Sequence, residues 1–159
     1  MLFHMSIAAR DPERVARVIA ELWEGVARRF PPVAEGSWVA AACDERGTTL
    51  EIYPAGTVLR EADGDADAYG ELSGQDSFTA THAAIATNFD RHSVLAICER
   101  EGWPAKYRNR GGFFGVIEMW IEGRQLIEVL TPEMQREYRA AIGGAALRRP
   151  TAVGPLPAP

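Results

Sequence analysis

Two histidines and two glutamates occupy matching places in the two halves of this chain. His4 stands second in the run FHMSI, and His82 stands second in the run THAAI. Glu51 follows His4 by 47 residues (51 − 4), and Glu128 follows His82 by 46 residues (128 − 82). Each glutamate lies in an apolar, strand-like run that a proline follows three or four residues later. A repeat of about 78 residues is too long for a solenoid unit, so the pattern predicts two small modules, each with one imidazole and one carboxylate.

These four side chains together would suit a divalent metal ion, because nitrogen and oxygen ligands without thiolate fit Zn, Ni, Co, Mn or Fe(II). By the period of two in a strand, Glu51 shares a face with Tyr53, and Glu128 shares a face with Leu126 and Leu130. The apolar neighbours of Glu128 predict that it points into an enclosed cleft. A lone carboxylate there is costly unless it is paired or binds a metal.

A strand glutamate is more often solvated, and a single histidine more often lies in a core or on a surface. The metal hypothesis therefore depends on the coincidence, since two of the three histidines fall at corresponding places in the repeat. The third, His92, is expected to be solvated at the start of a helix. Glu118 and Glu122 are the rival carboxylates. Three cations share one face of a short predicted strand and could attract an anionic substrate or protect a sheet edge: Lys106, Arg108 and Arg110.

The secondary-structure signals repeat in the same order. In the first half, Asp11, Pro12 and Glu13 predict the start of a helix that continues to Arg28. Its flanking strands are expected at Phe3–Ala9, Ser37–Cys43 and Thr48–Tyr53. In the second half, Asp90 and Gly102 predict the two caps of a helix. Its flanking strands are expected at Thr81–Thr87, Ala105–Asn109, Phe113–Ile121 and Gln125–Leu130. A third helix is expected to begin at Pro132 and to end before Gly143.

Between the modules, residues 55–79 contain many Asp and Gly residues and few large apolar ones. This composition predicts a surface linker, in which Val58 and Leu59 could pack. We therefore expect a first module at residues 1–54, a linker at 55–79 and a second module at 80–133, with a C-terminal helix and tail at 134–159. Residues 147–159 lack periodic apolar residues, so we expect their deletion to leave folding and metal binding nearly intact.

The composition argues against several classes of function. The 159 residues are 47% hydrophobic and 25% charged, which is ordinary for a globular domain, and the net charge is −5. An acidic balance disfavours binding to nucleic acid or to an anionic membrane. No apolar run approaches the roughly 18 residues needed to cross a bilayer, and the N-terminus lacks a secretory signal pattern. We expect a cytoplasmic protein in which Cys43 and Cys98 are buried free thiols.

The βαβββ pattern, present twice with His on the first strand and Glu on the last, resembles the vicinal oxygen chelate superfamily. That superfamily includes glyoxalase I, methylmalonyl-CoA epimerase, fosfomycin-resistance enzymes and extradiol dioxygenases. The resemblance covers about residues 1–133. It implies an α+β fold whose paired modules form curved mixed sheets around a metal-binding cleft. It also implies one divalent ion per site and, as is usual in the superfamily, a homodimer whose chains can exchange modules.

The resemblance assigns His4, Glu51, His82 and Glu128 to the four metal-ligand positions. Members with three ligands lack the first module's carboxylate, so the presence of Glu51 favours the glyoxalase-like set over the dioxygenases and the fosfomycin enzymes. The first helix lacks the Phe-Tyr and Leu-Gly signature that is common in the superfamily, and no glutathione-site residues are recognisable.

Three functions are compatible with this pattern. The leading hypothesis is a metal-dependent lyase or isomerase that stabilises an enediolate of a small carbonyl substrate by metal chelation, with Glu128 or Glu51 as the base. The second is an Fe(II)-dependent oxygenase with His4, His82 and Glu128 as metal ligands and Glu51 behind them. The third is a non-catalytic protein of the same fold that sequesters a small molecule.

Overall fold

The computed structural model describes residues 3–30, 34–45, 47–60, 69–74 and 81–142. The first half contains β1 His4–Ala9, α1 Pro12–Leu22, β2 Val26–Arg29, β3 Trp38–Ala41 and β4 Thr49–Pro54. A hairpin follows, formed by β5 Thr57–Arg60 and β6 Tyr69–Leu72. The second half contains β7 Ala83–Ala86, α2 Arg91–Glu101, β8 Ala105–Arg110, β9 Phe114–Ile121, β10 Gln125–Leu130 and finally α3 Pro132–Ile142.

The two halves form sheets with the same strand order. The first sheet runs β1-β4-β3-β2, and the second runs β7-β10-β9-β8. In each sheet the module's first strand pairs in parallel with its last strand, and the remaining pairs are antiparallel. Parallel pairing needs a long crossover connection, which the helix and the intervening strands supply. The predicted α+β fold of two βαβββ modules is confirmed.

Both module helices begin where the sequence indicates. Asp11 caps α1 by accepting a hydrogen bond from the backbone N–H of Arg14 at 3.0 Å. Asp90 caps α2 through the backbone N–H of Ser93 at 2.8 Å, and these hydrogen bonds hold the pKa of Asp90 below its ordinary value. Gly102 ends α2 with a φ of +70°, a conformation that glycine adopts without strain. Local sequence therefore sets these helix ends.

The helix of the first module is shorter than the sequence predicts. The expected helix to Arg28 is wrong, because α1 ends at Leu22 and β2 begins at Val26. Glu24 has a left-handed φ of +53°, and a Cβ on Gly25 would lie 2.0 Å from the carbonyl oxygen of Ala41. The pairing of β2 with β3 requires this close approach of Gly25 to Ala41. It overrides the apolar periodicity, which predicted that Val26 belongs to the helix. Val26 is 44% exposed and is not part of the buried stripe.

The residues between the modules include regular structure. β5 and β6 pair antiparallel within the segment that the sequence predicts to be a linker. Val58 and Leu59 do not pack into a core, since they are 37% and 57% exposed. Residues 61–68 and 75–80 of this region, and the predicted tail at 147–159, lie outside the described residues. The proposed domain boundaries remain predictions.

Ion pairs and hydrogen bonds join the two modules along their helices. Arg14 of α1 contacts Glu101 of α2 at 2.7 Å, and Arg100 of α2 contacts Glu21 of α1 at 2.6 Å. The Glu122 carboxylate accepts hydrogen bonds from the backbone N–H groups of residues 10 and 11 at 2.7 and 2.9 Å. Apolar residues of both modules belong to one buried cluster. The modules therefore associate through their helix-bearing sides.

The two cysteines differ in environment. Cys98 lies in α2 and is buried, and burial raises the pKa of its thiol to about 11. The expectation that Cys43 is also buried is wrong, because Cys43 is exposed. It follows β3 with a left-handed φ of +54°, so the chain leaves the sheet before reaching it. Within the ranges described, no helix has the length and apolar character that a membrane span requires.

Candidate metal centre

One face of the first sheet carries the polar residues of the first module. Ile7 of β1 and Ile52 of β4 pair in register and point into the core shared with α1. Because side chains alternate along a strand, His4, Ser6, Glu51 and Tyr53 lie on the opposite face, which we call polar face 1. Glu51 pairs with Ser6 in register, and His4 lies two residues before Ser6. The first module therefore places one imidazole diagonally from one carboxylate on the same face.

Two hydroxyl groups hold the Glu51 carboxylate. Ser6 Oγ donates a hydrogen bond to Glu51 Oε2 at 2.9 Å, and Tyr53 Oη donates to the same oxygen at 2.6 Å. Tyr53 is buried, and burial together with the hydrogen bond to Glu51 raises its pKa to about 12. Tyr53 therefore remains a neutral hydrogen-bond donor at physiological pH. Both contacts use Oε2, so they fix the orientation of Glu51 and direct Oε1 away from the hydroxyl groups.

The second module repeats this arrangement with the same offset. Glu128 of β10 pairs in register with Ala84 of β7. His82 lies two residues before Ala84, as His4 lies two residues before Ser6. The alternation of β7, continued beyond its first residue, puts His82 on the same face as Glu128, which we call polar face 2. His4 and His82 are both exposed, whereas Glu51 and Glu128 are partly buried. The repeat predicted from the sequence thus extends to the strand register.

Arg110 binds the carboxylate on polar face 2. Its Nη2 donates to Glu128 Oε1 and also to Glu118 Oε1, the latter at 2.8 Å. Arg108 Nε donates to the other oxygen of Glu118 at 3.2 Å. The hydrogen bond to Glu128 is the main reason that the pKa of Arg110 lies above its ordinary value. Glu118, which the sequence left as a rival ligand, therefore lies directly beside Glu128 on the neighbouring strand.

The sequence pattern did not indicate the link from Arg110 to Glu128. The alternation of β8 did place Lys106, Arg108 and Arg110 on one face, and Lys106 pairs in register with Glu118. The missing information was the register between β8 and β10, which meet only through β9. Of the other candidates, His92 is exposed as expected, whereas Glu122 is bound to the backbone before α1.

The donor chemistry of the four predicted ligands fits a divalent ion, since two imidazoles and two carboxylates are a common set for such metals. The strand register groups them by module. In the part of a single chain that the structure describes, no three His, Cys, Asp or Glu side chains lie close enough to hold an ion. Polar face 1 supplies His4 with Glu51, polar face 2 supplies His82 with Glu128, and a complete site requires the two faces to meet.

Two cavities adjoin strands β1 and β4 of the first module. A cavity of about 380 Å³ is lined by Ser6 and Tyr53, by Leu59 of the hairpin and by Gln125 of β10. A second cavity of about 430 Å³ lies beside His4 and is lined by residues of β1 and β7. Both volumes fall in the range of small-molecule sites, about 300–1,000 Å³. Of the four predicted ligands, His4 alone lines one of these two cavities.

Solved structures with a similar fold include proteins of several activities. FosX of Listeria monocytogenes, a fosfomycin resistance protein, matches with a TM-score of 0.56 and 11% identity over 88% of this chain and 96% of its own. Trypanothione-dependent glyoxalase I of Leishmania major matches with a TM-score of 0.51 and 16% identity, over 89% and 93%. The oxidase ChaP-H2 matches with a TM-score of 0.52 and 14% identity, over 82% and 92%. No protein-family model and no curated protein match the sequence.

These three proteins have different activities, so the likeness concerns architecture and leaves the reaction open. The matches extend over more than four fifths of this chain and over nine tenths or more of each matched chain. The chain therefore has the fold of the vicinal oxygen chelate superfamily, as its sequence pattern predicted.

Proposed function

We propose that the protein is a metal-dependent lyase or isomerase of the glyoxalase type, acting on a small carbonyl substrate. The observation that carries this proposal is the identical register of the two His–Glu pairs. In each module the histidine lies two residues before the residue that pairs with the glutamate. A structural role for four unrelated polar residues would not require the same offset twice. We assign all four, His4, Glu51, His82 and Glu128, as ligands of one ion.

The complete site is proposed to form between two copies of the chain. Within one chain the modules are joined along their helices, by Arg14 with Glu101 and by Arg100 with Glu21. That association leaves each polar face with only half of the donor set. In a homodimer, polar face 1 of one copy would meet polar face 2 of the other. Such a dimer would contain two equivalent sites, each with two imidazoles and two carboxylates.

A divalent ion bound by these donors would act as a Lewis acid that polarises a substrate carbonyl. The protein's own contribution is to orient the carboxylates and to move a proton. The hydroxyls of Ser6 and Tyr53 fix Oε2 of Glu51, which favours a constant position for this carboxylate. Glu128 is the proposed base once it leaves the ion, because its side chain is only 13% exposed and desolvation then favours its protonation. It would take a proton from the carbon beside the carbonyl and return it.

One solved structure with a similar fold contains a metal ion. One FosX structure from Listeria monocytogenes is a complex with Mn(II) and 1S,2S-dihydroxypropylphosphonic acid. Its sequence identity to this chain is 11%, so it supports the fold rather than the ion or the substrate. The proposed ion of this protein is Zn, Ni, Co, Mn or Fe, and the donor set is the reason for that choice.

Proton exchange in heavy water tests the proposed reaction. The metal-loaded protein would be incubated with 2-oxo aldehyde adducts and acyl thioesters, and NMR would follow the carbon-bound proton. We expect deuterium to enter one compound, and Glu128→Gln to slow this by about 10²-fold or more. Glu99→Gln, which removes the same charge from an exposed position of α2, should exchange like the wild type. Absence of exchange in every compound would argue against a lyase or isomerase.

An Fe(II)-dependent oxygenase is the second candidate, and one observation favours it. Glu51 already accepts two hydroxyl hydrogen bonds, so it could serve behind the ion while His4, His82 and Glu128 bind iron. Oxygen consumption by the iron-loaded protein, without exchange of carbon-bound protons, would support this candidate. The Tyr53→Phe variant distinguishes the two candidate functions further, because it removes one hydrogen-bond donor to Glu51. The change in metal affinity should be larger if Glu51 binds the ion directly than if Glu51 lies behind it.

A further inference from the structure

Among the residues that the structure describes, Glu128 is bound by one cation, Arg110. The Glu128 side chain is 13% exposed. A carboxylate so sheltered from water is costly to keep charged without a partner. Glu118 differs, because it is bound by both Arg108 and Arg110. Loss of Arg110 would therefore leave Glu118 paired and Glu128 unpaired.

Arg110 occupies the place where a cation is needed between two carboxylates. Glu118 and Glu128 lie directly opposite each other on neighbouring antiparallel strands, where like charges repel. One guanidinium nitrogen, Nη2, bridges them by donating one hydrogen bond to each. A divalent ion at Glu128 would satisfy the same carboxylate, and it would repel the positive guanidinium. The ion and Arg110 cannot both be close partners of Glu128 at low cost.

We propose that Arg110 is a positioning residue that competes with the metal ion for Glu128. In the metal-free chain it holds Glu128 and Glu118 together, and it leaves Glu128 when the ion binds. Arg110 can move without unfolding β8, because its side chain is long and 38% exposed and because it precedes the Gly111–Gly112 turn. Its bond to Glu118 would keep it beside the site. This inference rests on the proposed function, since it assumes an ion bound by Glu128.

The competition predicts tighter metal binding when Arg110 is removed. Arg110→Gln should bind Mn²⁺ or Zn²⁺ about tenfold more tightly or better, the effect expected from removing one charge-assisted hydrogen bond of a competitor. Arg108→Gln is the matched control, because it removes the same charge from the same strand face but contacts only Glu118. Because solvent screens the charge of Arg108, this control should change the metal affinity by less than about threefold.

Isothermal titration calorimetry with each metal alone would measure these affinities at one pH. Analytical ultracentrifugation would confirm that the variants have the same oligomeric state. Melting temperatures give a second readout. Metal-free Arg110→Gln should melt at a lower temperature than the metal-free wild type, and added metal should raise its melting temperature by more. Arg110→Lys keeps the charge but loses the planar fork that binds two carboxylates, so it should also bind metal several-fold more tightly. This variant carries the test if Arg110→Gln does not fold.

The outcomes separate the inference from the proposed function. Equal or weaker metal binding by Arg110→Gln, with saturable binding by the wild type, would overturn the role of Arg110 and leave the proposed metal site intact. A similar increase in metal affinity in Arg108→Gln would also overturn the role of Arg110, because the change in net charge alone would then explain the effect. Failure of the wild type and of all variants to bind metal would overturn both. Metal binding by Arg110→Gln, with no metal binding by the wild type, would support the competition between Arg110 and the ion.

Discussion

Glu101 of α2 joins the two modules by accepting a hydrogen bond from Arg14 of α1, and it also holds Arg100, which binds Glu21 of α1. Arg14 Nε lies 2.7 Å from Glu101 Oε2, and Arg100 Nε lies 2.7 Å from Oε1. The Glu101 side chain is 11% exposed, whereas those of Arg14 and Arg100 are 49% and 52% exposed. A hydrogen bond to a charged group contributes about 1.5–3 kcal/mol, but solvent screens partners that are half exposed. We expect Glu101→Gln to lower the free energy of unfolding by about 1–2 kcal/mol and Tm by about 2–8 °C.

The effect of Glu101→Gln should depend on pH. Burial acts to raise the pKa of Glu101, but the hydrogen bonds from Arg100 and Arg14 outweigh it, so the pKa lies below its ordinary value. A carboxyl with a lowered pKa stabilises the fold above its unfolded pKa, about 4.3. That contribution is lost as the pH falls through the folded value. The difference between wild type and Glu101→Gln should be full at pH 7 and should shrink as the pH falls below about 4.

Urea unfolding followed by tryptophan fluorescence at pH 7 and at pH 3 would measure this difference. Glu99→Gln is the control, since it removes the same charge from an exposed position on the same helix. We expect it to change the free energy of unfolding by less than about 0.5 kcal/mol. Equal losses in the two variants at pH 7 would refute the role of the ion pairs. A loss of unfolding free energy in Glu101→Gln that is as large at pH 3 as at pH 7 would also refute the role of the ion pairs.

Two further predictions concern the cysteines and Gly25. Burial raises the pKa of Cys98 to about 11, so at pH 8 it should stay protonated and unreactive, while the exposed Cys43 should react with a thiol reagent. Absorbance titration should count one reactive thiol in the folded wild type, none in folded Cys43→Ser and two in the unfolded wild type. Two reactive thiols in the folded wild type would contradict this prediction. Gly25→Ala should destabilise the protein by about 3 kcal/mol, because its Cβ would lie 2.0 Å from the Ala41 carbonyl oxygen. A melting temperature equal to that of the wild type would show that β2 can move away from β3.

The sequence predicted those features that depend on local or periodic signals. The caps at Asp11, Asp90 and Gly102 lie where predicted, because capping depends on residues within one turn. The repeat predicted two similar βαβββ modules, and both sheets indeed have the same strand order. The shared face of Glu51 and Tyr53 followed from the period of two along one strand, in agreement with the hydrogen bond between them.

Features that depend on contacts between distant segments were missed. The short α1 follows from pairing of β2 with β3, although Gly25 was a possible signal for the break. The exposure of Cys43 follows from where β3 leaves the sheet. The contact between Arg110 and Glu128 depends on the register of three strands, and no single strand pattern contains that information. The proposed pairing of His–Glu halves across two chains would likewise depend on an assembly that local sequence does not specify.

Metal binding by a mixed dimer tests the composite site most directly. One variant would carry His4→Ala with Glu51→Gln, and the other His82→Ala with Glu128→Gln. Neither variant alone should bind metal, since every site in its dimer would lack two ligands. In a heterodimer purified through two different tags, one site would combine both damaged modules and the other both intact ones. We predict one ion per heterodimer, against two per wild-type dimer. A heterodimer without metal, or a wild-type protein that binds no ion, would contradict the proposed site.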